Sequence, residues 1–344
     1  MQALRHAARS GVVCLAILAF AGLSQSAWAV VLSAGNGNTD SASLIAAGGP
    51  GLNGTPGFGN VGSSGASASS IVYLGNRWVL SAGHVAIGTF HGQVFLGGTG
   101  YNVVDSTITY LHNPDNSLAD LKLFQIDQDP GLPQFTSQMF ASATPSGRQI
   151  MIGNGLDRGS PQTYWNVDDS QVPWEWSVQS DPGTPGADDY SGFQTITNHH
   201  IRWGENEVLA TGLFEMTAFG PNNAPLFVHG YSTQFDDLAY TGVQPLPSEG
   251  QVSLGDSGGA VFTLEGGAWK LGGIMVAFED LYSGQPQSPP GIPYTVFGNQ
   301  ALIVDLSVYR DEILTIVPEP TGLALAAVAG LALAAFYRRR GITR

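Results

Sequence analysis

The 344 residues carry a formal net charge of −14, with 13 Lys and Arg against 27 Asp and Glu, and 43% of them are hydrophobic. An acidic surface argues against nucleic acid or anionic lipid as a partner held by charge, and this apolar fraction excludes a chain disordered throughout. Glycine (46) and proline (20) are abundant while charged residues make up 12%, a mixture that favours short strands joined by turns over long surface helices.

Arg5 and Arg9 precede an apolar run from Gly11 to Leu23 and then Ala27-Trp28-Ala29. This is the layout of a secretory leader over residues 1–29, with cleavage after Ala29 and a mature chain that begins at Val30. The apolar run is shorter than the ~20 residues of a spanning helix. The single cysteine, Cys14, lies in that leader, so the mature chain forms no disulfide of its own and depends on core packing. Residues 30–69, rich in Gly, Ser and Asn, predict a loop-like N-terminal arm.

From Ser70 the pattern changes. Residues 70–74 and 77–80 predict a hairpin turning at Gly75-Asn76, and further strands are expected at 93–96, 106–110, 121–126, 149–152, 207–211, 227–231, 260–264 and 269–278. Short strands at this spacing point to a sandwich or barrel. Leu306, Tyr309 and Ile313 fall at i, i+3 and i+7, which predicts an amphipathic helix near the end of the domain.

Three segments carry chemistry. Trp78-Val79-Leu80-Ser81-Ala82-Gly83-His84 ends a β-like run in a histidine held among small residues, where a general base can shuttle a proton with little movement. Ala119-Asp120-Leu121-Lys122-Leu123 places an aspartate at the entry to a strand, where it can be buried against the histidine and fix its tautomer. Gly255-Asp256-Ser257-Gly258-Gly259 surrounds a serine with glycines; these let the chain turn sharply, aim N–H groups at an oxyanion and admit a scissile carbonyl.

In the order His84, Asp120, Ser257, these blocks resemble the trypsin/chymotrypsin family of serine proteases over roughly residues 70–316. Ile150-Met151-Ile152-Gly153-Asn154-Gly155 and Leu271-Gly272-Gly273-Ile274 are similar to two further segments of that family. The resemblance implies an all-β fold of two packed six-stranded antiparallel barrels with a short C-terminal helix, the triad lying in the cleft between the barrels. It implies an endopeptidase acting on protein or peptide through an acyl-enzyme, with the N–H groups of Gly255 and Ser257 as oxyanion hole and with neither cofactor nor metal.

The chain also departs from that family. Asp120 and Ser257 stand 137 residues apart, an excess assigned to an insert at about 156–206 that holds Trp165, Trp174, Trp176 and Trp203 with Asp168, Asp169, Asp188 and Asp189. The insert reads as a substrate-gripping lobe, a calcium site or a set of solvated loop acids. His199 and His200, adjacent on a strand, are expected to point to opposite faces. The resemblance puts Gln251 at the base of the specificity pocket and Val276 and Phe278 on its wall, and a neutral amide there offers no counter-charge to Lys or Arg. Asp256 is where the family pairs a newly made N-terminus. No Lys or Arg lies between Arg9 and Arg77, so either leader removal exposes that N-terminus at Val30 or an internal group satisfies Asp256.

Residues 317–344 run from Pro318-Glu319-Pro320 through an apolar stretch, 322–337, to Arg338-Arg339-Arg340. This resembles the PEP-CTERM sorting signal. It implies a transmembrane segment at 322–337, cleavage near Pro318-Glu319-Pro320 by an exosortase-type enzyme, export across the inner membrane and delivery to the cell surface or extracellular matrix; a plain tail anchor is the alternative. The rival to an endopeptidase is a catalytically inactive protease-fold binding module of that surface or matrix.

Overall fold

The computed structural model describes residues 30–34, 37–88, 92–180, 189–279, 282–287 and 294–317. The expected leader, Asp188, the sorting motif and the 322–337 span lie outside them. The described residues form β1 (Val31–Leu32), α1 (Ser41–Ala46), β2 (Val61–Ser64), β3 (Ser70–Gly75), β4 (Trp78–Ala82), β5 (Gln93–Leu96), β6 (Thr99–His112) and β7 (Leu118–Ile126). There follow β8 (Arg148–Asp168), β9 (Glu175–Gln179), β10 (Asp189–Phe219), β11 (Pro225–Gln234), β12 (Gly250–Gln251), β13 (Ala260–Glu265), β14 (Ala268–Glu279), β15 (Thr295–Val296), β16 (Gln300–Asp305) and α2 (Leu306–Ile316).

The first half closes on itself. β2 pairs with β3, β3 with β4, β4 with β7, β7 with β6, β6 with β5, and β5 with β2 again, all antiparallel. The result is a closed six-stranded barrel, which leaves no strand edge unpaired. Ile71, Leu80, Val94, Leu121 and Leu123 are among its buried core. The β3–β4 hairpin turns one residue later than expected, at Asn76-Arg77 and not Gly75-Asn76: both take positive φ, 49° and 68°, the left-handed pair that matches strand twist in a two-residue turn.

In the second half β8 pairs with β10 and β13, β10 with β11, β11 with β16, β16 with β14 and β14 with β13. β9 adds to β8 and β15 to β10. The halves touch where Phe227 of β11 meets Ala119 of β7. α2 buries Leu306, Tyr309 and Ile313, the predicted stripe, and is capped by Asp305. The Tyr309 hydroxyl donates to Asn113 Oδ1 at 2.6 Å and accepts from the His229 N–H at 2.9 Å, fastening the helix to both halves. No helix of the described residues is long and apolar enough to cross a membrane.

Two regions differ from expectation. The stretch 30–69 is not a loop: β1 pairs with β12, and β2 is a barrel strand. Val30, Val31, Leu44 and Val61 are buried, but each apolar group is too short to show a period between its glycines, and distant partners supply the order. The stretch 156–206 continues the sheet, because β8 and β10 pair from Arg148/Glu207 out to Asn166/Asp189 with two register shifts. Its aromatic residues pack together, Trp165 edge-on to Trp176 at 5.7 Å and to Tyr294 at 5.2 Å, with Tyr190 at 4.6 Å from Tyr282. Trp203 lies apart from them and donates Nε1–H to Ser43 Oγ in α1 at 3.0 Å.

Candidate active site

His84 follows β4, and the β4–β7 register sets Ala82 opposite Leu121, which brings Asp120 beside Gly83. A Cβ at Gly83 would lie 2.9 Å from Asp120 Oδ1 and 3.1 Å from its backbone, so only glycine allows the approach. Asp120 is fully buried. Its Oδ1 accepts the His84 backbone N–H at 2.7 Å and its Oδ2 pairs with Nδ1 at 2.7 Å. With both oxygens accepting, Nδ1 is the protonated ring nitrogen and Nε2 the basic one. The His84 side chain keeps 15% exposure, enough for that nitrogen to meet a reactant.

Ser257 sits in the turn between β12 and β13. Gly255 and Gly258 have φ of 102° and 90°, values that L side chains rarely adopt. A Cβ at Gly258 would come within 2.1 Å of Ser70 O and 2.3 Å of Ser81 Oγ, so this turn lies directly on β3 and β4, the hairpin that ends in His84. Ser70 Oγ donates to Gly255 O and accepts from Asn154 N at 2.7 Å, while Ser81 Oγ donates to Ser70 O at 2.9 Å. On the other side Gly258 N donates to Met275 O at 2.8 Å and Met275 N to Gly259 O at 3.0 Å. Ser257 is 4% exposed. Its hydroxyl donates to Val276 O at 3.2 Å, so its one proton is not directed at His84.

The remaining candidates spread from this turn. Gln251 pairs with Val31 across β12 and β1; it is 1% exposed, and neither amide atom has a hydrogen-bond partner. Phe278 packs against Leu156 and Leu254. Asp256 is fully buried: its Oδ2 accepts from Ser253 N at 3.0 Å and its Oδ1 has no partner. Burial pushes its carboxyl well above the usual range, against the pull of Arg202. Val30 is buried too, with its Cγ1 2.7 Å from where a Cβ at Gly204 or Gly250 would sit. His199 Nδ1 faces Asn154 O at 3.2 Å, whereas His200 Nδ1 meets Asp157 Oδ2 at 2.8 Å; the pair shares no ligand. Asp168 accepts from Ser170 N and Asp189 from Gln179 Nε2, each at 2.9 Å. Among the described residues no group of three or more His, Cys, Asp or Glu is arranged to hold a metal ion.

Nothing in the sequence assigns a role to Ser70, which looks like any residue opening a strand, and Ser81 and Asn154 appear there only as members of longer segments. Lys122 was visible only as part of a strand pattern, yet its side chain reaches the backbone on either side of His84.

No protein-family model and no curated protein matches this sequence. Among solved structures the chain is similar to the Rv3671c protease in its inactive form, with 12% identity, TM-score 0.40, and coverage of 81% of this chain and 98% of that one. The active form of the same protease, from M. tuberculosis, gives 12% identity, TM-score 0.41, and coverage of 89% and 97%. The MamO protease domain from Magnetospirillum magneticum gives 13%, 0.37, and coverage of 76% and 95%.

Proposed function

We propose that the chain is an endopeptidase of the trypsin/chymotrypsin type, in which the second circuit of paired strands forms a second six-stranded barrel and the Ser257 turn lies in the seam between the two. Ser257 Oγ attacks the peptide carbonyl as its proton passes to His84 Nε2, and Asp120 holds Nδ1–H and offsets the charge that develops on the ring. The N–H groups of Gly255 and Ser257 take the oxyanion, each worth about 3 kcal/mol. His84 then protonates the leaving amine, and a water activated by the same ring releases the acyl group. The observation that carries this reading is the two-point hold of Asp120 on His84, at 2.7 Å to the backbone N–H and 2.7 Å to Nδ1, on the hairpin that also receives the Ser257 turn.

In this reading Gln251, Val276 and Phe278 form the primary pocket and favour small or neutral side chains over Lys and Arg. Removal of the leader after Ala29 places the α-ammonium of Val30 at the buried start of β1, and Asp256 Oδ1, which has no other hydrogen-bond partner, is its counter-charge. The tail gives transient anchoring through 322–337, exosortase-type processing at Pro318-Glu319-Pro320 and release to the cell surface or matrix.

One observation favours a second reading, an inactive binding module: the Ser257 hydroxyl is bonded to Val276 O. A fluorophosphonate probe separates the two. Labelling of Ser257 that is lost in Ser257→Ala and His84→Ala is expected of the enzyme; a folded, correctly processed chain that takes no label belongs to the second reading.

A further inference from the structure

β7 carries a second charged residue on the face that holds Asp120. Residues i and i+2 of a strand share a face, and Lys122 is 4% exposed, beneath the same loop. Its Nζ donates to Gly83 O at 3.0 Å and to Val85 O, the carbonyls immediately before and after His84. The Tyr110 hydroxyl donates to Gly83 O as well, at 3.0 Å, and the ammonium lies 5.7 Å from the centre of that ring. One strand therefore grips three consecutive residues from both sides: the carboxylate takes the N–H and ring nitrogen of His84, and the ammonium takes its two flanking carbonyls.

Burying an ammonium is unfavourable unless its donors are satisfied, and burial does pull this one down to about 8, against the opposing pull of Asp120. An apolar residue at 122 would suit the barrel core better. The lysine is explained by what it does to the loop: it joins the Tyr110 hydroxyl on Gly83 O and also takes Val85 O, so both carbonyls flanking His84 are held from β7.

We propose that Lys122 is a positioning residue, which fixes the backbone on either side of His84 so that the imidazole stays aligned between Asp120 and the Ser257 turn. This role rests on His84 acting as the base in the hydrolase reading, but the alignment itself can be measured without turnover. A cleft of about 460 Å3 lined by Gly83, His84, Tyr110, Lys122, Gly220 and Pro221 leaves room for a longer cation at 122.

The test compares Lys122→Met, which keeps the aliphatic stem and loses the donors, with Lys122→Arg, which keeps donors and charge, in the full chain. Proton NMR follows the downfield Nδ1–H resonance of His84, and the fluorophosphonate rate follows Ser257. In Lys122→Met the resonance is expected to broaden or vanish and labelling to slow at least about tenfold, with probe saturation unchanged; Lys122→Arg restores both in large part. A Lys122→Met chain that keeps the resonance and labels within about twofold of the wild type overturns the proposal. So does a folded Lys122→Arg chain as impaired as Lys122→Met, and if Lys122→Met does not fold, Lys122→Arg against the wild type decides alone. A wild-type chain that shows the resonance but takes no label counts against the hydrolase reading only, because the response of the resonance to Lys122→Met still reports on this lysine.

Discussion

Ser70→Ala removes one hydroxyl and two hydrogen bonds where the two halves of the molecule meet. Gly255 O loses its donor and Asn154 N its acceptor, and both residues are buried. Each orphaned group costs about 1–3 kcal/mol, so the pair costs about 2–6. At about 2–4 °C per kcal/mol for domains of 150–250 residues, the variant is expected to melt about 4–24 °C below the wild type. Ser81→Ala removes only the bond to Ser70 O and should cost about 1 kcal/mol. The assay is thermal unfolding followed by near-UV circular dichroism, with fluorophosphonate labelling of Ser257 measured well below both midpoints. Because the lost bonds hold the Ser257 turn, labelling should slow more than stability alone explains, and a displacement of about 1 Å is worth up to 100-fold. A Ser70→Ala chain that melts within about 2 °C of the wild type and labels at the same rate would refute the idea that this serine holds the turn in place.

Asp120→Asn should leave the fold intact and slow labelling by about 10^4, since an amide can donate to Nδ1 and so stabilise the wrong tautomer; equal rates in the two chains would remove Asp120 from the mechanism. Glu249 is pushed up from 4.5 to about 8, first by burial, so between those values the folded state holds more protons than the unfolded one. Its contribution is complete below pH 4.5 and is lost as pH rises towards 8, by up to about 5 kcal/mol, and denaturant titrations of Glu249→Gln should lack that decline. Lys122 has the opposite sign: it titrates at about 8 in the fold against 10.5 unfolded, so the unfolded state holds more protons between them. Stability from this group therefore rises with pH across that window, by up to about 3 kcal/mol. The difference between wild type and Lys122→Met isolates this rise from the tyrosines that titrate at higher pH.

The elements legible in the sequence were those whose local pattern matched their burial. The 70–80 hairpin carries glycine and asparagine near its turn, and Leu306, Tyr309 and Ile313 mark one helix face. β16 was missed because Ala301-Leu302-Ile303-Val304 is buried on both sides and shows no alternation. The sequence marks only the inner ends of β8 and β10 because Gly, Pro, Asp and Asn in their outer halves weaken strand propensity, while pairing between them sustains both. His84, Asp120 and Ser257 could be singled out as candidates because small residues or glycines adjoin each of them. The groups that seat them could not, since Ser70, Ser81, Asn154 and Lys122 gain their roles only from residues far along the chain.

The Ser70–Gly255 bond joins positions 185 apart, and Asn154 N reaches Ser70 across 84. Such contacts carry the largest loop-closure penalty and form late in folding. A chain that emerges N-terminus first can therefore complete β2–β7, with His84 and Asp120 already paired, while the turn that carries Ser257 still has no fixed conformation. The contact order of this one serine acts as a timer: the Ser257 turn takes its final shape only when the last third of the molecule has docked on the completed β2–β7 barrel.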